Sequence, residues 1–159
     1  MKWEERLRHH RGFGVHSPFL YEVVRGAMMP RRLTAPESAD LYAQLLAEGV
    51  GRRTATRLQN YLHHMGHTQW CIDKVEGPTN GKLFVATPQC PREVIVAMMA
   101  ACSGQSGTVA TLCVVHNRSK EGRELCRRLV AEHKGMSAEK ARFTLLFFNP
   151  ALPKQHVII

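Results

Sequence analysis

Acidic side chains are scarce in this 159-residue chain, where 13 aspartates and glutamates face 22 lysines and arginines for a net charge of +9. Such an excess invites a nucleic-acid reading, but it is not concentrated anywhere. Residues 1–60 carry 10 basic and 6 acidic groups and residues 61–159 carry 12 and 7, so the two parts stand at +4 and +5. A basic tail and a long block of like charge are both missing. No apolar run approaches the ~20 residues that span a bilayer. No apolar stretch follows the charged start MKWEERLRHH, which argues against a secretory leader. The five cysteines (Cys71, Cys90, Cys102, Cys113, Cys126) are odd in number and lack CxxC spacing. That pattern points to a reduced, cytoplasmic chain whose thiols serve as small core groups. Internal repeats and low-complexity segments are absent as well.

What is present centres on Thr108–Val130, TVATLCVVHNRSKEGRELCRRLV. Thr108–Val115 is almost wholly β-branched or apolar, as suits a strand buried on both faces of a parallel sheet. His116–Ser119 is a polar turn in which Asn117 or Ser119 can cap a following helix. From Lys120 the apolar residues Leu125, Cys126, Leu129 and Val130 recur at helical spacing, and Glu121 and Lys134 suit the two ends of the helix dipole. Strand, turn and amphipathic helix form the repeating unit of an α/β sheet, where ligands bind at the carboxyl ends of strands. The loop Val115–Ser119 is therefore a candidate site.

Upstream, the pattern is helical and predicts no strand before residue 65. Lys2–Arg11 suits a short polar helix, broken by the glycines of RGFGV. Ser17 and Pro18 then open a second, in which Phe19, Val23 and Ala27 share a face flanked by Leu20 and Val24. Ala35–Glu48 and Thr54–His64 follow, the first with Leu41, Leu45 and Leu46 inward. Beyond Gln69, QWCIDK and KLFVAT read as strands around the turn-rich EGPTNG. Pro91–Ala101 reads as an apolar helix closed by the Ser103–Gly107 loop. Ser137–Lys140 reads as a polar link, RFTLLFF as a strand, and the last residues as a returning strand after Pro150 and Pro153. The expected organisation is a helical extension over residues 1–66 and an α/β core over residues 67–159.

Three segments, in this order, resemble one family. RGFGVHSPFLYEVV is similar to the "HG-hydrophobic-HSPF" start of a group of bacterial class I S-adenosylmethionine-dependent methyltransferases, found mainly in Bacteroidetes. VVHNRSKEGRELCRRL resembles that group's "IHWS-K-M-EEAW" segment, and TLLFFNPALPKQHVII its "PKQHFV" end. The helices of LYAQLLAEGVGRRTATRLQNYLHHMGHTQW are similar to those leading to the family's cofactor strand. The resemblance implies a Rossmann-like methyltransferase sheet behind an N-terminal helical extension.

Departures from the family pattern bear on activity. A methyltransferase of this class needs a glycine-rich turn after its first strand, and an acid after the second for the ribose hydroxyls. Where the family reads like "ILELGTSLG", this chain has QWCIDKVEGPTNG. Asp73, Gly77 and Gly81 are the candidate cofactor contacts there, but the glycines are four apart with Pro78 between them. KLFVATPQC resembles the family's "FIDGNH-x-E", with Ala86 in place of its aspartate and Gln89 in place of its histidine. The second and third strand–helix units are missing. One acid cannot fill both cofactor roles.

His116 stands where the family has a histidine and is the catalytic candidate; fixing the turn is its structural alternative. HHxxHxxxC (His63, His64, His67, Cys71) has the residue types of a metal site, but no second ligand pair follows, so no metal is assigned. The expected function is that of a degenerate methyltransferase-like protein, a pseudoenzyme acting as a scaffold or partner-binding surface without S-adenosylmethionine. A sheet that has lost strand–helix units must cover its edges again, which favours a homodimer or a protein partner. Two alternatives stay open: an active S-adenosylmethionine-dependent methyltransferase with an atypical cofactor loop, and a small basic nucleic-acid-binding protein. No membrane association is expected.

Overall fold

The structure is a computed structural model that describes residues 17–77, 82–103 and 109–159. The expected helix Lys2–Arg11 and the RGFGV break lie outside the described residues, as does Thr108. The chain divides into two compact units, Met1–His67 with Ile158–Ile159, and Thr68–Val157.

In the first unit, α1 (Pro18–Val23) begins as the sequence predicts, with Pro18 in the first turn and the Ser17 hydroxyl accepting from the Leu20 N–H at 3.3 Å. It runs on as a π-helical turn, Val24–Met28. Leu20, Val23, Val24, Ala27 and Met28 are buried, whereas Phe19 is only half-buried, so the inward face is set one residue later than expected. The wider turn brings Met28 onto it. The helix α2 covers only Asp40–Ala47, because Ala35–Ser38 closes a turn, and it stops before Gly49 at φ 83°. The helix α3 (Arg52–His64) buries Leu58, Tyr61 and Leu62. Two polar residues on it are buried too. Gln59 Oε1 accepts from the Tyr42 N–H at 2.9 Å, and Asn60 accepts from the Thr34 N–H at 2.9 Å while donating to the Arg32 carbonyl at 3.0 Å. A helix whose buried amides complete neighbouring backbone fixes the connections around it.

The second unit is a six-stranded sheet. Its elements follow in the order β1 (Gln69–Ile72), β2 (Lys82–Ala86), α4 (Arg92–Ser103), β3 (Ala110–Val115), α5 (Lys120–Glu132), β4 (Met136–Glu139), β5 (Phe143–Phe148) and β6 (Gln155–Ile158). The spatial order is β1-β2-β3-β5-β4-β6. Every residue of β3 is buried, as a central strand requires. One face packs Phe84, Leu112, Val114 and Leu146 with Ile95, Met98 and Cys102 of α4 and Cys126 and Leu129 of α5. The other face, carrying Leu83, Val85, Cys113, Phe143 and Leu145, is buried as well.

The fold is α/β, as expected, but the sheet is mixed rather than parallel. Strands β1, β2 and β3 run parallel, and β5 is antiparallel to both β3 and β4. Two readings of the sequence need correction. Ser137–Lys140 is no link: Met136 and Ala138 alternate with Ser137 and Glu139 in β4, a strand too short for its period to stand out in the sequence. The terminal strand pairs with β4 rather than folding back on β5. Strands β1 and β2 are joined without a helix in the described part of their connection, residues 73–77. Adjacent parallel strands usually need a dozen or more connecting residues, so the link here is unusually tight.

Candidate functional site

Strands β1 and β2 end side by side, and Asp73 leaves β1 with its N–H donated to the Val85 carbonyl at 2.9 Å. Asp73 has φ 54°, a left-handed conformation that aspartate tolerates better than most residues. The turn aims its carboxylate at the end of β2. There one oxygen accepts the Thr87 N–H at 2.7 Å and the other the Thr87 hydroxyl at 2.6 Å. Both distances are those of strong, charge-assisted hydrogen bonds. The acid assigned to a cofactor hydroxyl is held by the neighbouring strand.

Behind Asp73 the loop closes on its own side chains. Lys82, buried at the start of β2, donates to the Glu76 carbonyl, and the Cys71 thiol reaches the same carbonyl at 3.6 Å. Gly77 has φ 62°, and a Cβ there would stand 3.6 Å from the Lys82 ammonium nitrogen. The glycine thus supplies the turn, and a lysine faces the space beside it. Gly81 lies outside the described residues. Burial first, and the Asp73 charge and hydrogen bond second, push the Cys90 thiol up to about 12, which disfavours its thiolate.

The end of β3 is built differently. The His116 and Asn117 N–H groups both donate to the Arg142 carbonyl, at 2.9 and 3.1 Å. Asn117 and Arg118 are both left-handed, at φ 48° and 67°. This pair of turns brings the Arg118 N–H to His116 Nδ1 at 3.2 Å. The Ser119 hydroxyl then caps α5, accepting from the Gly122 N–H at 3.0 Å. Gly122 is packed so closely that a Cβ there would lie 2.6 Å from His116 Cβ and 2.6 Å from Ser119 Oγ.

Burial keeps the His116 ring neutral by lowering its pKa, opposed by the Glu139 charge and helped by Arg123. A neutral ring whose Nδ1 accepts carries its proton on Nε2. His116 is 2% exposed, and this Nε2–H has no partner among the described residues. Thr144, opposite Val114 across the β3–β5 pair, is also 2% exposed, and its hydroxyl has only the Cys126 thiol, a weak partner, beside it. An orphaned buried polar group costs about 1–3 kcal/mol. Both residues line a cleft of about 140 Å³ at this end of the sheet, together with Arg123, Arg127, Glu139 and His156.

Beside the cleft, Ser137 Oγ lies 2.8 Å from His156 Nδ1, and His156 Nε2 lies 3.3 Å from Glu139. The residue types are those of a nucleophile relay, but Ser137 is 2% exposed and no substrate carbonyl can reach it. The chain of contacts joins β6 to β4. His133 plays a similar structural part, with its Nε2 shared between the Met136 and Phe147 carbonyls at 3.1 and 2.9 Å.

The histidines of HHxxHxxxC do not act together. His63 and His64 are exposed, and His64 lies against Gly26, where a Cβ would meet its Nδ1 at 2.5 Å. His67 is buried edge-on to Tyr61, with ring centres 6.3 Å apart. Among the described residues no three His, Cys, Asp or Glu side chains converge as metal ligands, and no helix is long and apolar enough to cross a membrane. Sequence reasoning singled out Asp73 and His116 and passed over Thr87, Lys82 and Thr144, which the structure places beside them. The signals were a threonine just past an apolar strand, a lysine opening one, and a lone hydroxyl within RFTLLFF.

No family model, curated protein or solved structure matches the chain.

Proposed function

We propose that this chain is a shortened, methyltransferase-like scaffold that does not carry out efficient methyl transfer. The observation that carries this reading is the state of Asp73, each of whose carboxylate oxygens already accepts a short bond from Thr87. A ribose hydroxyl would have to share a carboxylate already drawn toward β2 by two charge-assisted bonds. Lys82, held by the Glu76 carbonyl, faces Gly77 where a cofactor would need open backbone. The parallel half of the sheet, with α4 after β2 and α5 after β3, supports descent from a Rossmann-like fold. In open α/β sheets the ligand crevice lies where strand order reverses, and β1, β2 and β3 advance in one direction without reversal.

Calorimetric titration with S-adenosylmethionine and S-adenosylhomocysteine tests the reading. Neither is expected to give saturable heat in the micromolar range. A low-micromolar dissociation constant that Asp73→Ala abolishes would overturn it and restore the active-enzyme alternative.

One feature favours the nucleic-acid reading instead. A cleft of about 420 Å³ in the first unit is lined by Arg31, Arg53 and Arg57, with no acid among its described lining residues. Burial first, and Arg53 second, lower the pKa of Arg57. Binding to single-stranded RNA that weakens steeply with salt, and is lost in Arg53→Gln, would favour it.

A further inference from the structure

We propose that the cleft beside His116 is a binding site for a small oxyanion, a phosphate, sulfate or carboxylate group, held by His116 Nε2–H and the Thr144 hydroxyl, with Arg123 and Arg127 supplying the charge. The site is unrelated to the cofactor loop at Asp73 and stands whether or not the scaffold reading holds.

Three observations converge on it. The first is a pair of buried groups, His116 Nε2 without a partner and the Thr144 hydroxyl with only a thiol beside it. His116 Nε2 is a donor, because Nδ1 already accepts from the Arg118 N–H. Thr144 adds a hydroxyl from the next strand. His116 needs an acceptor, and the hydroxyl can donate to the same one.

The second is charge. Arg123 and Arg127 are one turn apart on α5 and line the same cleft, so their side chains lie on one face of the helix. Neither has an acidic partner within salt-bridge distance among the described residues, whereas the neighbouring Arg128 is paired with Glu124 at 2.9 Å. Glu139 also lines the cleft and would by itself repel an anion. It is engaged by His156 at 3.3 Å, which in turn meets Ser137, so the one acid of the cleft faces two arginines.

The third is size. The cleft has a volume of about 140 Å³, enough for several water molecules. That is room for a tetrahedral oxyanion or a short carboxylate. Guanidinium forks with a neutral imidazole N–H and a hydroxyl form a donor set suited to such groups.

The experiment is a thermal-denaturation titration of the full chain at pH 7.5, with sodium phosphate, sulfate or acetate against sodium chloride of equal ionic strength. Ring ¹⁵N–¹H correlations of His116 are followed in parallel. At least one oxyanion is expected to raise the melting temperature saturably and to shift the His116 Nε2–H resonance, while chloride does neither. Arg123→Gln and Arg127→Gln, both at exposed positions, should each weaken binding roughly tenfold. Arg53→Gln, in the arginine-lined cleft of the first unit, serves as control and should leave it unchanged. The proposal is overturned if chloride matches every oxyanion, which would leave ordered water as the only occupant. It is equally overturned if Arg53→Gln removes the effect while the two α5 variants keep it.

Discussion

Asp73 and His116 stand at the carboxyl ends of two parallel strands of one sheet, and they are opposites in how they are satisfied. Asp73 is half-exposed, yet its oxygens are met by Thr87 on the adjacent strand. His116 is buried, yet one of its two ring nitrogens meets nothing in the described protein. A strand end that uses its polar groups internally is a joint. One that leaves them over in a charged cleft is open to a ligand. Depth therefore misleads here, since the more accessible group is the less available one.

Disrupting β3, the strand that leads into His116, should have the largest effect. Val114 is opposite Ala86 of β2 and Thr144 of β5, so Val114→Asp places an unpaired carboxylate at the centre of the sheet. That penalty is several kcal/mol against a total domain stability of about 5–15 kcal/mol. Loss of soluble expression is expected, and an unchanged melting curve would mean that β3 is not central. The next effect sharpens the Asp73 side. Thr87→Val keeps the shape but deletes the 2.6 Å hydroxyl bond, and should cost about 1.5–3 kcal/mol in a urea titration.

At the other end, His116→Asn keeps an acceptor near Nδ1 for the Arg118 N–H but removes the far side of the ring with its unmatched donor. It is expected to cost about 1 kcal/mol, less than Thr87→Val, because no formed bond to Nε2 is lost. The opposite ranking would erase the contrast between the two strand ends.

The last effect is on pH dependence. Burial lowers the pKa of His67, His116 and His133 below that of the unfolded chain. As pH falls below about 6.5 the unfolded state takes up protons that the folded rings refuse, so stability is full above that value and declines toward the folded pKa values. Each proton of difference is worth at most about 1.4 kcal/mol per pH unit. Melting temperatures between pH 7.5 and 5 should fall, and less steeply for His116→Asn.

The strands and helices with a clean period were legible in the sequence: β3, α5, the Ser17 and Ser119 caps and α3 all lie where spacing places them. Strand β4 was not, because four residues of half-polar MSAE show too little period to separate a strand from a link. The order of the sheet was not legible either. Register between distant segments is set by packing, and nothing local to RFTLLFF states that its neighbours are β3 and β4. Asp73 and His116 stood out because each follows an apolar run. Their difference lay in partners 14 and 2 residues away, Thr87 and Arg118, and in the left-handed Asn117–Arg118 pair that composition does not announce.

Gly122 has a consequence for anyone who would make this protein more robust. Replacing a half-exposed helical glycine with alanine is among the commonest recipes for thermostability, since it removes about 1 kcal/mol of backbone freedom from the unfolded chain. At this position the added methyl meets His116 and Ser119 at 2.6 Å, against the backbone end of one and the capping oxygen of the other. The recipe should reverse sign here, pushing α5 off its cap and the imidazole out of place. A library sorted for heat resistance would therefore keep glycine at this position while accepting changes at the exposed positions around it, and would mark out the β3–α5 joint without any assay of function.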